Sequence, residues 1–164
     1  MSANCLLTAE DPFAGQVERQ PYHGKRILLV EDEPLICQLC VKALTNSGYE
    51  VDATGDGAAA WISLQLNDYD LLITDNELPT LSGVDLLKRL HAACFVLPVI
   101  MATGNYPQEE FIRQPFLPPA TVLLKPYSMA TLLKVVDGVL CAARNMKPGQ
   151  PIVDLQRLTD RVGQ

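Results

Sequence analysis

Glu31-Asp32, Asp75, Thr103 and Lys125 are the residues of this chain whose types, taken together, could handle a phosphoryl group. Three acids brought to one place repel one another and need a cation. Their donors are all oxygens, with no thiolate or imidazole, so the ion that suits them is hard. A site left open to water and phosphate oxygens favours Mg²⁺. Lys125 adds a fixed positive charge and Thr103 a hydroxyl, so an oxygen-rich anion fits between metal, lysine and threonine. Phosphoryl transfer needs those parts: in-line positioning, a metal to neutralise charge, and a lysine on the equatorial oxygens. Asp75, the carboxylate nearest the centre, is then the expected acceptor, giving an acyl phosphate.

These residues can meet only if the fold brings them together, and the intervening sequence specifies how. Ile27-Leu28-Leu29-Val30, Leu71-Leu72-Ile73, Val99-Ile100-Met101-Ala102 and Val122-Leu123-Leu124 are unbroken apolar runs of strand length. Runs of that kind suit parallel strands covered on both faces. Tyr49-Glu50-Val51-Asp52-Ala53 alternates apolar with polar, as an edge strand does. Each run is followed by a helical pattern. Pro34 stands at a first helical position and Gly48 beyond the helix end, while Ser82 and Ser128 read as N-terminal caps. On the first helix Ile36, Leu39, Cys40 and Ala43 are expected to share the inward face, with Cys37 nearer the rim. Trp61 is expected to pack in the core. Pro107, Pro115, Pro118 and Pro119 leave the fourth helix about two turns near Gln108–Arg113.

The alternation predicts an α/β fold, a doubly wound five-stranded parallel sheet of order 2-1-3-4-5 with right-handed crossovers and an irregular, shortened fourth helix. Ligands bind such sheets beyond the carboxyl ends of the strands, where the strand order reverses. Glu31-Asp32, Asp75, Thr103 and Lys125 each stand at a strand end. With strands one and three adjacent, Asp32 and Asp75 face each other across the crevice.

The set resembles the receiver domain of two-component response regulators. The resemblance covers residues 26–143, with an N-terminal arm over 1–25 and a tail over 144–164. It rests on Leu29-Val30-Glu31-Asp32-Glu33-Pro34, on Ile73-Thr74-Asp75-Asn76-Glu77-Leu78-Pro79 with Gly83, on Met101-Ala102-Thr103-Gly104, and on Leu124-Lys125-Pro126-Tyr127. It implies that Asp75 accepts phosphate from a histidine kinase or histidine phosphotransfer protein. Asp32, Asp75 and the backbone carbonyl of Glu77 would hold Mg²⁺, with Glu31 acting through water. Thr103 would turn its hydroxyl to the phosphoryl group, Lys125 would hold one of its oxygens, and Lys125-Pro126 would be cis. Gly104 suits the need for a small residue beside the phosphate. One departure falls on the switch itself: an aromatic usually stands where this chain has Val122, and with the broken fourth helix that alters the output face.

Composition narrows the rest. The chain has 164 residues, 48% of them hydrophobic and 20% charged, enough apolar matter for one folded domain. Lys and Arg number 13 against 19 Asp and Glu, for a net charge of −6, which disfavours direct nucleic-acid binding. No apolar stretch spans a bilayer and no positive region opens the sequence, so a cytoplasmic protein is expected. The five cysteines include Cys37-Gln38-Leu39-Cys40, which has no second ligand pair and reads as packing rather than redox or zinc chemistry. The tail carries a short amphipathic pattern at Ile152, Leu155, Leu158 and Val162, and is too short for a DNA-binding output domain. Output is therefore expected through a downstream protein target or onward relay, with a homodimer left open. Two other readings compete: a receiver-like interaction module without phosphorylation, and a haloacid-dehalogenase-type phosphatase. The second is suggested by Asp75-Asn76-Glu77 but lacks a paired acid after the lysine.

Overall fold

The computed structural model describes residues 24–144 apart from Pro118 and Ala120. Residues 1–23 of the N-terminal arm, the tail pattern at Ile152–Val162 and the acids Asp154 and Asp160 lie outside the described residues. Five strands and five helices alternate: β1 (Arg26–Val30), α1 (Pro34–Asn46), β2 (Glu50–Thr54), α2 (Gly57–Leu66), β3 (Leu71–Thr74), α3 (Gly83–Ala92), β4 (Val99–Thr103), α4 (Gln108–Arg113), β5 (Thr121–Leu124) and α5 (Met129–Arg144). The sheet is parallel throughout, in the order β2-β1-β3-β4-β5, as expected.

Period-two alternation splits the apolar runs between two cores. Ile27, Leu29, Leu71, Ile73, Ile100, Ala102 and Leu123 face α1 and α5. Leu28, Val30, Leu72, Val99 and Met101 face α2, α3 and α4. This explains why the central strands carry no polar alternation: both faces are covered. The two edge strands, β2 and β5, are the ones left partly exposed.

The helices begin and end for local reasons. Pro34 opens α1, and Gly48 follows it at φ 91°, a left-handed turn that glycine adopts without steric cost. Ser82 accepts the Asp85 amide and Ser128 the Thr131 amide, as the capping pattern predicts. α4 keeps six residues, and its N-cap is Pro107, which makes no side-chain capping bond. Lys125-Pro126 is cis. Trp61 is half-buried, packs on the α2–α3 side, and tilts against Phe95 at 5.9 Å.

One helix face differs from expectation. Cys40 and Leu44 are buried, with Ile36, Cys37 and Val41 beside them, whereas Leu39 is 56% exposed. At 100° per residue Leu39 falls well off the line through Cys40 and Leu44, so it flanks the core instead of entering it. α1 also runs two residues past Leu44.

The Cys37/Cys40 pair behaves as packing. Burial raises both thiols, and the nearby Glu31 charge raises them further, against thiolate formation. Cys40 Sγ lies 3.8 Å from the Tyr127 hydroxyl. Cys37→Ser is expected to change stability by less than about 0.5 kcal/mol. Cys40→Ser is expected to cost about 1–3 kcal/mol, by setting a hydroxyl in an apolar face. Urea denaturation of the two variants checks both values. Stoichiometric zinc in the purified protein, lost on either substitution, would refute the structural reading.

Candidate functional site

The strand register carries the chemical residues to one edge. Val30 pairs with Thr74, so Glu31 and Asp75 leave the sheet side by side. The Glu31 amide donates to the Thr54 carbonyl at 3.0 Å and the Asp75 amide to the Val30 carbonyl at 3.0 Å. On the other flank the Lys125 amide donates to the Thr103 carbonyl at 2.9 Å. Glu31, Asp75 and Lys125 continue the alternation of Leu29, Ile73 and Leu123, so their side chains emerge on one face of the sheet edge. Thr103 follows Met101 on the other register.

Of the predicted residues, Glu31, Asp32, Asp75 and Lys125 come together. Glu31, Asp32 and Asp75 each offer a carboxylate oxygen, and these oxygens all lie within 4.8 Å of one another. Among the described residues no other group of three or more metal-binding side chains comes together in this way. Glu31 and Asp75 are buried, at 4% and 7% exposure, while Asp32 is open to solvent. Lys125 Nζ donates to Glu31 Oε1 and Oε2 at 2.9 and 2.7 Å, and to Asp75 Oδ2 at 2.6 Å. Asp75 Oδ1 is held differently, accepting the backbone amides of Asn76 and Glu77. The two oxygens of one carboxylate thus have separate attachments, one to backbone and one to the Lys125 ammonium.

The electrostatics follow from burial and crowding. Burial raises the Glu31 carboxyl above its ordinary value, and the Asp75 charge adds to that, while Lys125 opposes both. Burial pulls the Lys125 ammonium down, but its hydrogen bonds and attraction to Asp75 and Glu31 outweigh it and leave its pKa raised. A single lysine faces three acids. The site keeps a negative excess, and an all-oxygen donor set with one open member is suited to a hard divalent cation.

Thr103 is fully buried; its hydroxyl donates to the Asn105 carbonyl at 3.1 Å and accepts the Asn105 amide at 3.3 Å. A Cβ on Gly104 would meet nothing within 4 Å, so space is open beside the threonine. The Glu77 side chain is exposed. Val122 is half-buried against the α2–α3–α4 core.

Motif spacing does not single out what holds the Asp75 loop. Thr80, a β-branched residue, sits at φ 62°, a conformation that costs about 1–3 kcal/mol and persists only where the surroundings impose it. Its hydroxyl donates to Asp56 Oδ2 at 2.8 Å and accepts the Ala58 amide at 3.3 Å. Asp56 also caps α2, accepting the Ala59 amide at 2.8 Å. The one local signal is Gly55-Asp56-Gly57, a turn and cap at the end of β2.

Known proteins of this shape agree. The family model for the response regulator receiver domain matches residues 27–137, more than half of the chain. The regulatory protein VanRB of Enterococcus faecalis is 37% identical over 115 residues, covering 70% of this chain and 52% of that protein. This chain therefore spans about half the length of that relative. The response regulator receiver protein CpdR of Brucella abortus is 33% identical over 124 residues, covering 73% of this chain and 99% of that protein. Among solved structures, the chemotaxis response regulator CheY4 of Vibrio cholerae superposes with a TM-score of 0.63 at 28% identity, over 70% of this chain and 98% of its own. The receiver domain of a sensor histidine kinase from Pseudomonas aeruginosa superposes with a TM-score of 0.64 at 28% identity, over 72% and 98%, and was solved with a magnesium ion in its active-site cleft. A parallel 2-1-3-4-5 sheet with acids, threonine and lysine at its carboxyl edge, matched along most of its length by these proteins, makes this chain a member of the response regulator receiver domain family of two-component signalling.

Proposed function

We propose that the protein is a phosphorylation-controlled switch in which Asp75 takes a phosphoryl group from the phosphohistidine of a histidine kinase or histidine phosphotransfer protein. The observation that carries this is the meeting of Glu31, Asp32 and Asp75 around Lys125 at the open carboxyl edge of the sheet. In the transfer, the P–N bond to the donor imidazole breaks as a P–O bond forms to an Asp75 carboxylate oxygen, and the imidazole takes up a proton. Lys125 exchanges its carboxylate partner for a phosphoryl oxygen. Thr103 gives up the Asn105 carbonyl to donate to another. The carboxylates of Asp32 and Asp75 and the backbone carbonyl of Glu77 would hold Mg²⁺, with Glu31 behind them. The chemistry such an ion supplies when bound is neutralisation of charge on the transferring oxygens. The chain turns over no small-molecule product in this reading, and its output passes to a downstream protein target or along a relay. No described helix is long and apolar enough to cross a membrane.

Acetyl phosphate with Mg²⁺ should add one phosphoryl group by intact mass. Borohydride reduction should then convert the modified residue to homoserine in the peptide containing Asp75. No incorporation would favour the unphosphorylated interaction module, and a homoserine elsewhere would displace Asp75. The metal half of the reading has its own check. Mg²⁺ should bind in the millimolar range, roughly, because few protein ligands and retained waters make a weak site. Asp32→Ala should weaken binding by more than about tenfold by calorimetry, since even outer partners of metal sites commonly matter that much. An unchanged titration would remove Asp32 from the site.

The output route follows from stiffness. Val122 is locked at χ1 by its β-branch and is too small to swing as an aromatic would. The adjoining segment from Gly104 on has six helical residues and a buried Phe111 whose ring lies 5.5 Å from that of Tyr106. Few helical bonds make for low local stability, where a small bias shifts populations. Beryllofluoride should therefore change hydrogen exchange chiefly across residues 104–117, with Tyr106 and Phe111 changing burial. Protection confined to α1 and the Asp75 loop would place the output there instead.

A further inference from the structure

The turn Gly55-Asp56-Gly57 stands between the two acid-bearing loops and touches both. On one side, a Cβ built on Gly55 lies 3.4 Å from the Asp32 Cα and 3.6 Å from the Glu31 carbonyl oxygen. On the other, Asp56 holds the Thr80 hydroxyl, the Gly57 amide donates to the Pro79 carbonyl at 3.3 Å, and Gly57 lies hard against the Leu81 backbone. The loop so gripped runs from Asp75, and its first two amides are the ones bonded to Asp75 Oδ1. Its far end is closed onto the same residues: the Gly83 and Val84 amides donate to the Asn76 backbone carbonyl and side-chain oxygen. Thr80 holds its left-handed φ against the preference of a β-branched side chain, so something must pay for it, and the Asp56 carboxylate and Ala58 amide are the partners present.

We infer that Asp56 and Thr80 form a bracket that sets the spacing between the Asp32 loop and the Asp75 loop, acting as positioning residues for phosphoryl transfer. The inference rests on Asp75 as acceptor. Neither residue touches the reacting atoms; their effect passes through the Asn76 and Glu77 amides. Removing the Thr80 hydroxyl frees the loop to relax toward negative φ and carries those amides away from Asp75. A displacement of an ångström or less at a nucleophile slows reaction by about tenfold or more.

The test is the initial rate of phosphorylation by acetyl phosphate with Mg²⁺, read together with the amide NMR shifts of Asn76 and Glu77 in the unphosphorylated full chain. Thr80→Val should slow incorporation about tenfold and move both amide resonances, while Thr80→Ser, which keeps the hydroxyl, should restore the rate to within about twofold. Thr80→Gly removes the backbone strain along with the hydroxyl, so the loop has little drive to relax and its rate should fall less than that of Thr80→Val. Asp56→Ala should slow the reaction as Thr80→Val does and also lower the melting temperature, because it uncaps α2. Wild-type rates and unmoved amides in Thr80→Val would overturn the bracket, as would a Thr80→Gly slower than the valine variant or a Thr80→Ser as slow as it. Parent protein that takes no phosphoryl group on Asp75 would instead refute the acceptor assignment, and the amide shifts would then decide the bracket alone.

Discussion

Asp75→Asn is expected to abolish phosphorylation by acetyl phosphate, with no added phosphoryl mass after a time that converts most of the parent protein. Three properties lost or kept together make the effect total. The amide is not a nucleophile, so no acyl phosphate forms. Its oxygen can still accept the Asn76 and Glu77 amides that now hold Asp75 Oδ1, so the loop keeps its place. Its nitrogen cannot accept from Lys125, which leaves that ammonium with the Glu31 carboxylate and relieves one of the converging charges. The variant should therefore remain folded while losing the reaction. Phosphoryl mass that persists in it would show that another residue is the acceptor.

Gly57→Ala is expected to destabilise the fold by at least about 3 kcal/mol, enough to lower the melting temperature by roughly 10 °C or more. A Cβ at this position would stand 1.9 Å from the Leu81 carbonyl oxygen, 2.8 Å from its carbon and 2.9 Å from its Cβ. Two of those three atoms are backbone, so no rotamer change relieves the contact. Either α2 or the loop after Asp75 must move. Gly138 supplies the control with the opposite sign. It lies in α5, and a Cβ there would meet nothing within 4 Å. Gly138→Ala should therefore gain about 0.5–1 kcal/mol, the ordinary helical preference for alanine. Equal melting temperatures for the two variants would mean that α2 and the Leu81 turn do not pack as closely as described.

The contrast between these two glycines shows where sequence reading stops. Both lie in helices, Gly57 at the first position of α2 and Gly138 inside α5. Position in the helix alone does not say that another backbone lies against one of them. What separates them is a backbone segment some two dozen residues away that lies against one and not the other. Leu39 makes the same point on a smaller scale. Spacing groups it with Ile36, Cys40 and Ala43, but the face of α1 that packs on the core is centred on Cys40 and Leu44, which leaves Leu39 to the side.

The amino-acid order by itself determined the architecture and pointed to the candidate residues at its carboxyl edge. Unbroken apolar runs required a sheet covered on both faces, and the helical patterns between them required parallel crossovers. The polar residue ending each inner strand was then bound to arrive at a common edge. Proline spacing determined the length of α4, and the oxygen-only chemistry of Glu31, Asp32 and Asp75 pointed to a hard cation. Those properties are local or periodic, and a linear pattern carries them. Only the tertiary structure decided that Lys125 bridges Glu31 and Asp75, that the two oxygens of Asp75 are held by different partners, and that Asp56 grips a strained Thr80. Apart from the Asn76 and Glu77 amides on Asp75, these are distances of a few ångströms between segments remote in the chain. Such distances are set by how helices seat on the sheet and by which backbones approach without a Cβ between them, and neither leaves a periodic trace in the sequence.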